Sequence, residues 1–146
     1  MPTVYSIRHV VESVLASYLA ADAGLAGVNV YKGDSADVMV LPKVIVLCDA
    51  ARGAPGLGDP LGNYSCSVRI TVVSNSDDTS LTTHRERCAQ LVGAMTDTTA
   101  LAAAFSANGQ ALFYDCGVES EAEGVDERSW VTAFSYDLWA CLNPGA

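Results

Sequence analysis

The sequence predicts an α+β domain, and three observations predict it. Tyr64, Cys66, Val68, Ile70 and Val72 alternate with Ser65, Ser67, Arg69 and Thr71. That period of two marks a strand with one apolar face and one face left for solvent or a partner. Ile7, Val10, Val11, Val14, Leu15, Tyr18 and Leu19 recur at helical spacing and mark a one-sided helix. A long strand closes the chain from Arg128 to Cys141, with Trp130, Phe134, Tyr136 and Leu138 on one face.

Taken in order, the first helix begins behind Ser6, a good N-cap, and ends after Ala23 with Gly24 as a left-handed stop. A short strand follows at Val28–Tyr31, and Gly33–Asp37 reads as a turn. Lys43–Cys48 is a continuous apolar run rich in β-branched residues, which predicts a central strand covered on both faces. From Asp49 to Asn63 glycine and proline dominate and periodicity is lost, so a long loop is expected, an extended arm or contact loop. The alternating strand then ends at Ser74-Asn75-Ser76-Asp77-Asp78. A second helix starts near Ser80 with Leu81, Cys88, Leu91, Val92 and Met95 on its apolar face. Asp97 caps a short third helix through Phe105, carrying Leu101 and Phe105, and Asn108-Gly109 is a turn. Ala111–Val118 is a further strand. Glu119–Glu127 reads as an acidic connection with five carboxylates, solvated rather than metal-binding because it lacks the calcium-loop pattern.

The chain of 146 residues is long enough for one domain with a real core, and 50% hydrophobic against 17% charged residues excludes wholesale disorder. No apolar stretch approaches the roughly 18 residues that a membrane helix needs. Met1–Ser6 has no basic segment leading into an apolar run, so the expectation is a chain without a signal peptide that folds in the cytoplasm. The net charge of −9, with only Arg85 and Arg87 close together among the cations, opposes direct DNA binding.

Chemistry-bearing patterns are missing. The five cysteines are widely spaced and sit in apolar segments, which predicts buried, reduced thiols. His9 and His84 have no neighbour at metal-ligand spacing, and His84 beside Arg85 and Arg87 reads as part of a solvated helix face. No Ser or Cys stands in an activating context. The loop glycines make no phosphate cradle, since no helix follows them. No catalytic group, cofactor or metal site is expected.

This order of elements resembles the tail terminator (tail-completion) proteins of long-tailed bacteriophages. The likeness lies in Ile7–Leu19, Leu41-Pro42-Lys43-Val44-Ile45-Val46, Tyr64–Ser74, Asp78–Leu91 and Arg128–Leu138, which together cover most of the chain. It is a likeness of size, order and local flavour, without a rigid motif. It implies one domain over 1–146, with a mixed or mostly antiparallel sheet of four to five strands and helices packed on one face. It also implies a structural virion protein, assembled in the host cytoplasm. The protein would form a ring, usually of six subunits, that caps the tail-tube protein, stops its polymerisation and joins the head-tail connector protein. Within that reading Arg52 and Asp59 of the long loop are interface candidates. Ser65, Ser67, Arg69 and Thr71 would meet a neighbouring subunit or water. Glu119, Glu121, Glu123, Asp126 and Glu127 are candidates to face a channel through which DNA passes without binding, because like charges repel phosphate.

Two other readings stay open. A head-tail connector or head-completion (neck) protein would also form a ring, on the portal side. A small enzyme or ligand-binding domain would need a concave pocket with converging polar groups.

Overall fold

The protein is described here by a computed structural model covering residues 6–33, 40–53 and 63–143. Helix α1 (Ile7–Ala20) begins where the Ser6 side chain accepts a hydrogen bond from the His9 amide. It buries Val10, Val11, Leu15 and Leu19 completely. It stops at Ala20, earlier than expected, and Gly24 falls within a single 3-10 turn, Ala23–Leu25. A Cβ on Gly24 would meet the end of the exposed Gln90 side chain, at 2.0 Å, and would require that side chain to move aside. The left-handed residue is Gly27, with φ at 84°.

Five strands follow: β1 (Asn29–Lys32), β2 (Lys43–Gly53), β3 (Asn63–Asn75), β4 (Ala111–Asp126) and β5 (Ser129–Leu142). They form one mixed sheet in the order β1-β2-β3-β5-β4, parallel only between β1 and β2. Helices α2 (Leu81–Thr96) and α3 (Thr98–Asn108) join α1 on one side of this open sheet. The architecture is α+β, as the sequence predicts. Ser80 caps α2 by accepting from the Thr83 amide, and Asp97 caps α3 through the Ala100 amide. Gly109, with φ at 79°, ends α3 in the left-handed turn placed at Asn108-Gly109.

The core lies between sheet and helices. Val44, Val46, Cys66, Val68, Ile70, Val72, Phe134 and Leu138 supply it from the strands. Leu91, Met95, Leu101 and Phe105 meet them from α2 and α3. In the middle of β3 (Cys66–Val72) and of β5 (Thr132–Ala140) buried side chains alternate with half-buried or exposed ones, and the alternation is lost at the strand ends, where Val73 and Cys141 are buried as well.

Three expectations are corrected. Lys43–Cys48 is covered on one face only, since Lys43, Ile45 and Leu47 stay half-buried on the open face. The long loop is shorter than expected: Asp49–Gly53 continue β2, paired with Tyr64–Ser67 after a bulge at Cys48/Ala50, and Asn63 already belongs to β3. The rest of that segment, 54–62, lies outside the described residues, as does most of the expected turn at Gly33–Asp37. The acidic connection Glu119–Glu127 is a strand as far as Asp126, paired with β5 and closed by a turn at Glu127-Arg128.

Because Phe134 is fully buried at the middle of β5, Phe134→Ala is expected to cost about 3–5 kcal/mol of stability in urea unfolding. Val118→Ala, at a 58% exposed position, should stay within about 0.5 kcal/mol.

Candidate functional site

Three features of the molecule concentrate polar chemistry: the open face of the sheet, a buried histidine network beneath α2, and the outer strand β4.

The open face gathers most of the interface candidates. Register places Arg52 opposite Ser65, with Ser67, Arg69 and Thr71 following on the same side of β3. Arg52 therefore stands on a strand rather than in a loop. Two of these side chains already have partners within the chain. Ser65 Oγ donates to Asp137 Oδ1 at 2.5 Å, and the Trp139 indole donates to the other oxygen, Oδ2, at 3.0 Å. Arg69 forms an exposed ion pair with Asp49 at 3.2 Å. Half-buried Ile45, Leu47 and Val131 lie among them. This mixture suits contact with a protein surface better than contact with phosphates. Asp59, the remaining candidate, lies outside the described residues.

His84 corrects the sequence expectation. It is not on a solvated helix face but fully buried. Its Nδ1 lies 2.8 Å from Ser74 Oγ, and its Nε2 lies 2.9 Å from Thr132 Oγ1. Arg87 Nη1 donates to the same Ser74 hydroxyl at 2.9 Å. The network thus ties α2 to β3 and β5, and satisfies polar groups whose burial would otherwise be costly. A signal for it was present in the sequence: His84, Cys88, Leu91 and Met95 follow helical spacing, and all four are buried. A serine beside a histidine can make a nucleophile. Here Ser74 and His84 are both 0% exposed, so no substrate reaches them.

The five carboxylates of the acidic run do not share one face. Register turns Glu121 and Glu123 to the helix side, opposite Phe134 and Thr132, and turns Asp126 to the other side. Glu119 falls in the bulge between Val118 and Ser120, and Glu127 occupies the hairpin turn with φ at 54°. Arg85 reaches from α2 to grip Glu123 with both Nε and Nη2, at 3.1 and 2.8 Å. That fork holds the Glu123 carboxyl below its ordinary range. Tyr136, opposite Val118, is 3% exposed and its hydroxyl has no hydrogen-bond partner among the described residues. Burial pushes this phenol up to about 12.

A concavity of about 810 Å³ is an open groove among α1, α2 and α3 lined by small residues such as Ser17, Ala94, Ala100 and Ala104. Tyr18 crosses toward it and donates to the Ala94 carbonyl at 2.7 Å. Asp22 and Asp97 also line it, and no histidine does among the described residues. Among the described residues no group of three or more His, Cys, Asp or Glu side chains could hold a metal ion, and no helix is long and apolar enough to cross a membrane. All five cysteines are unbridged; four are buried and Cys116 is partly so.

No protein-family model and no curated protein matches the chain. Among solved structures, it matches a chain from the virion of a native gene transfer agent particle, with TM-score 0.63 and 12% identity over 94% of this chain and 99% of that one. The two share a fold. A second solved chain, at TM-score 0.43 and 13% identity over 90% and 92% of the two chains, adds no argument.

Burial holds the His84 pKa below its ordinary 6.5, and the nearby Arg87 and Arg85 act in the same direction against Glu123. Above that value the ring is neutral in both folded and unfolded chains. Below it the unfolded chain takes up a proton first, so stability falls as pH drops. Urea unfolding between about pH 7.5 and pH 5 should show this loss, and His84→Gln should flatten the pH dependence relative to wild type.

Proposed function

We propose that this chain is a structural protein of a phage-like virion, and specifically the tail terminator: a ring, hexameric in this reading, that caps the tail tube, stops its growth and joins it to the head-side connector. The observation that carries the reading is the shared fold with a chain of a gene transfer agent virion, extending over nearly the whole of both chains. The order and size of the elements, which resemble tail terminators from Ile7 to Leu138, support the finer assignment. The role is architectural, not enzymatic, and the chain works in the neck of the particle.

The two sides of the sheet then have separate uses. The helix side holds the fold together. The open side, with Arg52, Ser67 and Thr71 beside Ile45 and Leu47, is the surface offered to the tube or the connector. At the tip of the β4–β5 hairpin, Asp126 and Glu127 are exposed and acidic. They are the carboxylates best placed to border a lumen, where their repulsion of phosphate keeps passing DNA from adhering.

Negative-stain imaging of the protein mixed with the tail-tube protein from the same genome tests this reading. The expected outcome is tubes of limited length with a ring at one end. Unlimited tube growth in the presence of the protein, together with binding to heads, would transfer the assignment to a head-completion protein. Arg52→Ala should weaken binding to tubes several-fold while leaving thermal unfolding unchanged, because an exposed charge contributes little to stability.

A further inference from the structure

We propose that copies of this chain associate head to tail, the β4 edge of one copy seating in the groove between α1 and β1 of the next. The inference rests on the ring reading and names the surfaces that build the ring.

β4 is the last strand of the sheet, so one row of its backbone N–H and C=O groups faces no strand among the described residues. Val118 and Val125 on this strand are 58% and 63% exposed, unusual for branched apolar side chains in a sheet of this length. Between them on the same face lie Glu121 and the Arg85-paired Glu123. An exposed, extended edge of 16 residues is a template for another chain.

The other end of the sheet offers a complement. A groove of about 510 Å³ runs between α1 and β1, floored by Ser13, Ala16, Ser17 and Ala20 and walled by Val30 and Lys32. The small α1 residues leave room for branched side chains such as Val118 and Val125. The Lys32 ammonium has only the Ser13 hydroxyl at 3.5 Å and no carboxylate within ion-pair distance among the described residues. Arg8, at the start of the same helix, donates to the Cys48 carbonyl and likewise pairs with no carboxylate among them. Asp34 and Asp37, which follow β1 in sequence, lie outside the described residues.

Charge decides the geometry of association. Pairing β4 with β4 about a two-fold axis would bring Glu121 and Glu123, which share a face, close to the same two carboxylates of the partner, and like charges in apposition are strongly disfavoured. Setting β4 against the α1–β1 groove brings Glu121 toward Lys32 and the Val118 and Val125 side chains toward the small residues Ala16 and Ala20 and toward Val30. Such a contact uses two different patches, and therefore propagates until a rotation closes it into a ring.

A charge swap tests this in the full chain, with self-association followed by analytical ultracentrifugation at low and high salt. Glu121→Lys alone and Lys32→Glu alone should each weaken association at least tenfold, with thermal unfolding unchanged. The two single variants mixed together, and the double variant alone, should recover it. Loss with Glu121→Lys but not with Lys32→Glu, failure of the mixture to recover, or a wild-type chain that stays monomeric at millimolar concentration would each overturn the proposal. Imaging the same variants with tubes separates the two readings. Caps that form whatever the charge at 121 and 32 would leave the terminator assignment standing and remove this interface. Charge-dependent rings that ignore tubes would do the reverse.

Discussion

The antiparallel register between β3 and β5 is the constraint on which the remaining structure depends. It runs unbroken from Asn63↔Cys141 to Asn75↔Ser129, without the bulges that interrupt the pairings on either side. Both strands alternate, so a slip of one residue would move Val68, Ile70 and Val72 to the open face together and put Ser67, Arg69 and Thr71 against the helices. Helices α1, α2 and α3 pack on one side because only that side is continuously apolar, whereas the other mixes Ser67, Arg69 and Thr71 with Ile45 and Leu47. The open side can carry a protein-facing surface for the same reason.

His84 shows how the polar side of that arrangement is kept specific. An apolar residue at this place on α2 would pack against the strands but would leave the Ser74 and Thr132 hydroxyls without their ring partner. The imidazole satisfies both and fixes the position of α2 over the strands. Next to it on the surface, Arg85 clamps Glu123 of β4 to the same helix. A buried neutral network and an exposed ion pair therefore act on one helix from two depths, and the buried one matters more for stability because water screens the other.

Local periodicity made much of this legible. The α1 stripe from Ile7 to Leu19, the Tyr64–Val72 alternation, the caps at Ser6 and Asp97 and the start of α2 near Ser80 each depend on residues within a few positions of one another, so the sequence alone carries them. What stayed hidden was decided by distant partners. Asp49–Gly53 and Glu119–Asp126 look like loops because glycines and charges are poor strand formers. They are strands because Tyr64–Ser67 and Ser129–Ser135 stand ready beside them with open ladders. His84 was misplaced for a related reason: its neighbours Arg85 and Arg87 are polar, while its own position on the helix wheel is that of Cys88 and Leu91. The candidate site was legible as a set of residues on one strand face, but not as a face partly occupied by Asp137 and Asp49.

The single parallel pairing has a consequence of its own. β1 is tied to the sheet by four residue pairs, against the full length of β3 for its pairing with β5. Resistance to local opening should therefore grade across the molecule, highest where β3 meets β5 and lowest at β1. The sheet has a stiff interior and one yielding margin. In an assembly built from repeated copies, small differences in angle between neighbours would be absorbed at that margin, leaving the packed interior of each copy undeformed.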